Sequence, residues 1–265
     1  MRPERLFDGL HLRADLVRAG HRRLMVSFDW RVIGRDGFSD FSPNRNFLQG
    51  GFDQLWIGSA ANDWFVNSET EALEAALAGI ADGYDEVRAI GFSMGGYGAF
   101  RLSRCLGIAR VVAVSPQVSI SQRHAPFEWR YRIEAEGFDA DLGDLAVHAD
   151  RRLAGHLLVD DLNAADVAHA RALQALCPAL RLVRLTGGGH PATAVLREAR
   201  RAGKVQHLAM DPANGLAPLL AAHRSARAGQ AGYWTRLARA AEPRRPACAD
   251  AARLRARALE GFGGG

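Results

Sequence analysis

The sequence is poor in lysine and cysteine, and it has no long apolar run. Lys204 is the only lysine among the 34 basic residues, so arginine carries almost all of the positive charge. Three scattered cysteines are too few for a disulfide framework, and they fit a reducing compartment. No segment reaches the roughly 20 apolar residues that a membrane-spanning helix needs, and no signal peptide is visible at the start of the chain. These absences predict a cytoplasmic protein without a membrane span.

The sequence also lacks the patterns that bind nucleic acids, metals and nucleotide cofactors. The net charge of +5 arises largely from arginines in the C-terminal region, and no module combines basic with aromatic residues as nucleic-acid binders do. No cysteine and histidine cluster has metal-ligand spacing, and no phosphate-binding loop is present. We therefore expect no nucleic-acid partner and no cofactor.

Apolar strand segments alternate with helical segments along most of the 265 residues. Continuous apolar strands of this kind predict a doubly wound, mostly parallel α/β sheet that is flanked by helices on both faces. The first clear strand is 24–28, so we expect a fold that lacks its first two strands and is reduced at the N-terminus.

The composition divides the chain into three parts. We expect a catalytic domain over 1–213 with a lid at 118–150, a helical C-terminal extension over 214–260, and a disordered tail at 261–265. Apolar residues at helical spacing in the extension favour docking on the domain. The same helices are a candidate interface for a homo-oligomer.

The most informative stretch is a G-x-S-x-G motif formed by Gly91, Ser93 and Gly95. An apolar strand precedes it and a helix with small residues follows it, which is the context of a nucleophile elbow. Glycine is needed beside the serine because a side chain there would collide with the neighbouring strand or helix. We predict that Ser93 is a nucleophile and that the N–H of Met94, at a helix N-terminus, stabilises an oxyanion.

A nucleophilic serine needs a base and a carboxylate that orients the base. His190 follows a strand and three glycines, so its ring can reach the edge of the sheet where Ser93 lies; His124 and His148 are the weaker candidates. The acid should follow the strand before the one that leads to His190. Asp160 is preferred, Asp161 is close behind it, and Asp166 is third because an N-cap explains it equally well.

A second oxyanion donor is expected in the loop after the first clear strand, which begins at Phe28. The sequence has no H-G-G-G motif there. Asp29 stands in this loop, where it can fix the backbone by accepting hydrogen bonds.

Residues 24–202 resemble the α/β-hydrolase superfamily through the elbow at 91–96, the late acid and the final Gly189-His190. The resemblance implies a Ser-Asp-His mechanism with an acyl-enzyme. A longer pattern is also similar to bacterial hydrolase-like proteins associated with glycan assembly. It consists of Ser93-Met94-Gly95-Gly96-Tyr97, Ser115-Pro116-Gln117 and the pair Asp160 and Asp166.

The function that follows is a serine esterase that cleaves a carboxylic ester or thioester of a small molecule or glycan. Two alternatives remain open. One is an acyltransferase, in which a hydroxyl group of a glycan or small molecule replaces water as the acceptor. The other is a non-catalytic protein of the same fold that binds a partner, because a fold does not determine a function.

Overall fold

A computed structural model describes residues 2–261 of the chain, and eight of its strands form one sheet. They are β1 (Glu4–Asp8), β2 (Leu12–Val17), β3 (Arg23–Phe28), β4 (Asp53–Ser59), β5 (Glu86–Phe92), β6 (Arg110–Val114), β7 (Ala154–Val159) and β8 (Leu180–Arg184). Their order across the sheet is β1-β2-β4-β3-β5-β6-β7-β8. The six strands from β3 to β8 run parallel, which confirms the predicted mostly parallel sheet.

The expected loss of the first two strands is wrong. β1 and β2 form an antiparallel hairpin, and β2 pairs antiparallel with β4. Charged residues inside the hairpin interrupt its apolar pattern. Arg5 Nε donates to Asp15 Oδ1 at 2.5 Å across the two strands, so polar pairing replaces the apolar run by which the other strands were recognised.

Helices cover both faces of the sheet and bury a separate apolar cluster on each. Val111 of β6 belongs to one cluster and its neighbour Val112 to the other, because successive side chains of a strand point to opposite faces. The helices are α1 (Arg45–Gln49), α2 (Thr70–Leu77), α3 (Met94–Arg101), α4 (Arg132–Glu136), α5 (Leu145–His148), α6 (Ala164–Leu176), α7 (Ala194–Glu198), α8 (Gly203–Met210), α9 (Leu216–Arg227), α10 (Ala231–Ala241) and α11 (Pro246–Gly261). Within residues 2–261, no helix is both long enough and apolar enough to cross a bilayer.

The C-terminal helices α9 and α10 pack on the rest of the chain, and α11 packs on α10. Leu219 of α9 is fully buried in the same cluster as sheet residues. The ring of Tyr233 in α10 leaves no room for a side chain at Gly187, and Arg236 Nε donates to the carbonyl oxygen of Gly187 at 2.7 Å. Gly261 is the last residue of α11, and 262–265 of the predicted tail lie outside the described residues.

The turn between β5 and α3 brings backbone segments into close approach. Ser93 has φ 49° and ψ −116°, a conformation that few L-residues adopt. A Cβ on Gly95 would lie 2.5 Å from the carbonyl oxygen of Asp29, and one on Gly91 would collide with the carbonyl group of Gly95. The turn therefore needs both glycines, and it points Ser93 out of the carboxyl edge of the sheet.

Residues 118–150 form an insertion between β6 and β7 that is anchored by buried charges. His169 Nε2 of α6 lies 2.8 Å from Glu128 Oε2 of the insertion, and both side chains are fully buried. The guanidinium of Arg130 also pairs with Glu128. Burial by itself would raise the pKa of Glu128, but the hydrogen bonds from His169 and Arg130 outweigh it and lower the pKa to about 2.

We predict that Gly95→Ala lowers the free energy of unfolding by about 1–3 kcal/mol, the usual cost of overpacking. Alanine favours a helix over glycine by up to about 1 kcal/mol, but the collision with the Asp29 carbonyl outweighs that gain. Urea unfolding followed by circular dichroism measures the change. Gly83→Ala is the control, because nothing lies within 4 Å of the added methyl group. Equal losses in the two variants would contradict the predicted crowding at the turn.

We predict that Glu128→Gln changes how stability depends on pH. The pKa of Glu128 is lower in the folded chain than its ordinary value of 4.5, so its contribution is present above that value and is lost as the pH falls towards 2. Between pH 5 and 3 the wild type loses on the order of 2 kcal/mol through this group, and the variant does not.

Urea unfolding at pH 5, 4 and 3 tests this, since the stability gap between wild type and variant should narrow as the pH falls. A gap that stays constant would show that Glu128 is not held by these charges. Asp250→Asn removes an exposed partner of Arg253 and should follow the wild type throughout.

Candidate active site

The structure brings together Ser93 and His190, the two residues that the sequence predicted to meet at one edge of the sheet. Ser93 Oγ lies 3.0 Å from His190 Nε2. Ser93 follows β5 and His190 follows β8, so the carboxyl edge of the parallel sheet presents both. His124 lies instead in the insertion against the carbonyl oxygen of Ala140.

The carboxylate on the histidine ring is that of Asp166, which corrects the preference for Asp160 and Asp161. Asp166 Oδ2 lies 2.8 Å from His190 Nδ1, and the Asp166 side chain is fully buried. Asp166 is not the N-cap of α6, because Asn163 accepts the hydrogen bond from the Asp166 N–H. Its carboxylate is therefore free to face the ring from the first turn of the helix.

Asp160 shapes the loop that carries His190. It is 2% exposed, and its two carboxylate oxygens accept hydrogen bonds from the N–H groups of Gly187 and Gly189, both at 2.8 Å. These bonds occupy the carboxylate that the sequence assigned to the ring. Asp161 makes no hydrogen bond to His190, and its Oδ1 is buried without a partner in the described part of the chain.

Groups from three other elements complete the hold on this loop. His223 Nε2 of α9 lies 3.1 Å from the carbonyl oxygen of Thr186, and Arg236 of α10 binds the carbonyl oxygen of Gly187. Ser115, after β6, accepts a hydrogen bond from the N–H of Ala192 at 3.0 Å. The C-terminal helices thus take part in placing the histidine.

Arg130 of the insertion forms an ion pair with the second oxygen of Asp166. Its Nη1 lies 2.7 Å from Asp166 Oδ1. Burial would raise the pKa of Asp166, but the hydrogen bond and charge of His190 and the charge of Arg130 lower it. The carboxylate is therefore ionised, and it keeps the Nδ1 proton on the histidine side of the hydrogen bond.

Tyr131 and Gln117 add polar groups around the serine oxygen. The Tyr131 hydroxyl lies 3.0 Å from His190 Nε2 and 3.4 Å from Ser93 Oγ. Burial raises the pKa of Tyr131, so the phenol stays neutral and can donate a hydrogen bond. Gln117 Nε2 is 3.4 Å from Ser93 Oγ, and its Oε1 accepts from the indole N–H of Trp64 at 3.0 Å.

The two predicted oxyanion donors occupy different positions. Met94 is the first residue of α3, directly after Ser93, so its N–H is one of the unpaired donors of a helix start. Phe28 is the last residue of β3, and its side chain is buried. The N–H of the next residue, Asp29, donates to the carbonyl oxygen of Ile57 at 2.9 Å and is therefore engaged in the sheet.

The loop after β3 is fixed by a buried ion pair. Arg35 Nη1 donates to Asp29 Oδ2 at 2.9 Å and Nη2 to the carbonyl oxygen of Trp30 at 2.6 Å. Burial raises the pKa of Asp29, against the opposing charge of Arg35. Asp29 does tie the loop down, through its ion pair with Arg35, and Trp30 is held beside the serine.

A cavity of about 600 Å³ opens onto these groups, and its surface is mainly apolar. Ser93, Tyr131 and His190 form its polar side, with Trp30, Phe92 and Val205 among its apolar lining. Such a cavity can hold an acyl chain or another small group against the serine. Among residues 2–261, no three histidine, cysteine or acidic side chains are placed to hold a metal ion.

Several residues of the site carry little signal in the sequence. Gln117 follows β6 at the same edge of the sheet as Ser93. It belongs to the Ser115-Pro116-Gln117 pattern of the sequence, so its position was predictable. Arg130 and Tyr131 lie in an irregular insertion whose path the sequence does not define. His169 lies in the middle of α6 and carries no signal in the sequence, although its contact with Glu128 anchors the insertion.

Comparisons with solved structures find chains of similar architecture at low sequence identity. The capsule O-acetyltransferase of Neisseria meningitidis serogroup A matches with a TM-score of 0.52 and 15% identity, over 76% of this chain and 93% of that one. Its H228A mutant in complex with CoA matches with a TM-score of 0.51 and 14% identity, over 75% and 93%. A candidate thioesterase from a Silicibacter species matches with a TM-score of 0.52 and 16% identity, over 83% and 84%.

No protein-family model matches the sequence, and a comparison with curated protein sequences finds no significant match. At these identities the structural likeness is evidence for the fold alone. It agrees with the strand order and with the turn that carries Ser93. The chain therefore has the α/β-hydrolase fold.

Proposed function

We propose that the protein is a serine hydrolase that cleaves a carboxylic ester or thioester through an acyl-enzyme on Ser93. The observation that carries the proposal is the unbroken chain of hydrogen-bond contacts from Ser93 through His190 to the buried Asp166. Nucleophile, base and orienting carboxylate stand in the order that acyl transfer to serine requires. The apolar cavity over Ser93 supplies room for the acyl group.

His190 Nε2 takes the proton of Ser93 as Oγ attacks the acyl carbon, and Asp166 holds the ring with its Nδ1 proton directed away from the serine. The tetrahedral intermediate collapses when the protonated ring gives its proton to the leaving alcohol or thiol. Water then enters, loses a proton to the same nitrogen and releases the acid, which restores Ser93.

The negative oxygen of the tetrahedral intermediate needs donors that are in place before the reaction. The N–H of Met94 is the first, and Trp30 replaces Phe28 as the source of the second. The N–H of Asp29 is engaged with Ile57, whereas Trp30 lies one residue beyond it and lines the cavity beside Ser93. Arg35 binds the carbonyl oxygen of Trp30, which belongs to the following peptide unit, and so restrains the loop directly after this N–H.

An acyltransferase is the second candidate, because the acyl-enzyme accepts any hydroxyl group that reaches it before water does. The neighbour of similar fold from Neisseria is described as a capsule O-acetyltransferase, and one of its structures contains CoA. The indole of Trp30 is 56% exposed at the cavity, which suits stacking on a sugar ring or contact with an acyl chain. Product analysis with and without a sugar acceptor distinguishes the two activities.

We predict that a fluorophosphonate probe labels the wild type once per chain and does not label Ser93→Ala. His190→Ala should react far more slowly, because it removes the base. Asp166→Asn should slow the reaction by about 10³–10⁴-fold, since the amide no longer holds the ring in the required tautomer. Intact mass measured over time gives the rates, and a panel of acyl esters measures turnover.

Asp161→Asn is the matched control and should label at nearly the wild-type rate. Asp160→Asn should fall between the two, because it weakens the loop and leaves the carboxylate on the ring unchanged. A slower reaction in Asp161→Asn than in Asp166→Asn would overturn the assignment of the acid. A folded wild type that is never labelled would overturn the enzyme proposal and favour a binding protein.

We predict that Tyr131→Phe lowers kcat by about tenfold, which corresponds to one lost hydrogen bond to a charged group. The phenol oxygen accepts from His190 Nε2 once that nitrogen is protonated, so it stabilises the imidazolium of the tetrahedral step. The ring remains packed on Trp64, so folding should be unaffected. Steady-state hydrolysis of an activated ester measures the effect.

Tyr97→Phe serves as the control for Tyr131→Phe. It also removes a buried hydroxyl group, in this case one that donates to the carbonyl oxygen of Gly143, outside the hydrogen-bond network of Ser93 and His190. An unchanged or higher kcat in Tyr131→Phe would show that the phenol takes no part in the reaction.

A further inference from the structure

A second cavity, of about 670 Å³, lies at the amino edge of the sheet, opposite the edge that carries Ser93. Arg88, which lines this cavity, lies five positions before Ser93 in the chain, a distance of about 16 Å along a strand. The charged and polar side chains that line the cavity include Arg23, Arg88, Arg110, Arg181, His156 and Asp211. Its surface is mainly polar, in contrast to the cavity at Ser93.

The register of the sheet explains why these side chains meet. Arg110 is paired with Arg88 on one side and with Ala154 on the other, and His156 is paired with Arg181. Paired residues of neighbouring strands face the same side, and so do residues two apart in one strand. The arginines and the histidine therefore share one face of the sheet. They lie near its amino edge, where α8 ends and the cavity begins.

Two of the four arginines are engaged by the protein itself. Arg23 Nη2 donates to the carbonyl oxygen of Gly50 at 2.6 Å. Arg88 donates to the carbonyl oxygen of Met210 at the end of α8 and pairs with Glu86 at 2.7 Å. These contacts fix the wall of the cavity and close the last turn of the helix.

The guanidinium groups of the other two arginines have N–H donors that no residue in the described part of the chain binds. Arg110 makes one long contact, 3.5 Å from Nε to Glu86 Oε1, and its side chain is 52% exposed. Arg181 is exposed and has no side-chain partner among residues 2–261. β6 and β8 flank β7, and Arg110 and Arg181 are staggered by two residues along it, so their backbones are about 12 Å apart.

His156 lies between them and is itself incompletely satisfied. It is 6% exposed, and its Nδ1 is buried without a hydrogen-bond partner in the described part of the chain, as is Nε of Arg88. Burial, together with the charges of Arg181 and Arg110, lowers the pKa of His156. Glu86 and Asp211 are the carboxylates nearby, and they leave the four arginines a formal excess of two positive charges.

We propose that this cavity binds a small phosphorylated ligand that carries at least two anionic groups. Guanidinium groups bind phosphate oxygens in paired hydrogen bonds, and Arg110 and Arg181 each have such a face free. One anionic group binds at each of them, on either side of His156. Arg88 and the end of α8 form the wall behind the ligand. The site is separate from the reaction proposed at Ser93 and does not depend on it.

Calorimetric titration with pyrophosphate at constant ionic strength tests the proposal. We expect one saturable site per chain in the wild type. The double variant Arg110→Gln/Arg181→Gln should bind about tenfold more weakly or worse, because it loses two charge-assisted contacts. Both side chains are exposed, so the fold should persist. The single variant Arg181→Gln, which breaks no ion pair, should give a smaller loss in the same direction.

Two controls separate this site from general attraction and from the catalytic cavity. Arg184→Gln/Arg255→Gln removes the same net charge from exposed positions elsewhere and should bind pyrophosphate like the wild type. Arg197→Gln removes an arginine that lines the cavity at Ser93 and should also leave binding unchanged. The proposal is overturned by a wild type without saturable binding, by equal weakening in the charge control, or by loss in Arg197→Gln alone.

Discussion

The buried carboxylate of Asp160 fixes the loop on which the candidate active site depends. A carboxylate that is removed from water needs several hydrogen-bond donors, and three backbone N–H groups, of Leu162, Gly187 and Gly189, supply them here. This requirement sets the path of the loop after β8. The ring of His190 then stands between the serine turn on one side and the start of α6 on the other.

The two neighbouring aspartates divide two tasks that one carboxylate cannot perform together. The oxygens of Asp160 accept hydrogen bonds from backbone N–H groups. Those of Asp166 face the His190 ring and Arg130. Because Arg130 belongs to the insertion, the ion pair connects the insertion to the carboxylate that faces His190. Glu128 and His169 extend this connection into α6, so the insertion is attached through charges as well as through apolar contacts.

The sequence predicted those parts of the site that backbone geometry constrains strongly. Ser93 needs glycine on both sides because the chain passes so close to itself at this turn, and the glycines before His190 mark a loop with left-handed backbone at Gly187 and Gly189. The acid was not predictable in the same way. Three aspartates follow β7 within seven residues, and only the path of the turn into α6 decides which one reaches the ring.

The antiparallel hairpin at the N-terminus and the roles of Arg130 and Tyr131 were missed for a related reason. Each depends on polar partners that are distant in the sequence, and single-sequence patterns report apolar periodicity much better than such pairings. The predicted helices after residue 214 do occur, but their contacts with the histidine loop rest on two side chains, His223 and Arg236, that no local pattern distinguishes.

Those contacts have a consequence for the order in which the candidate active site is assembled during synthesis. Ser93, Asp166 and His190 all leave the ribosome before Arg236, which follows His190 by 46 residues. At about 5–20 residues per second this interval lasts roughly 2–9 s. During that time the nascent chain contains Ser93 and His190 but lacks the α10 group that binds the Gly187 carbonyl oxygen. The histidine loop is therefore fully held only after α9 and α10 have been made and packed against it.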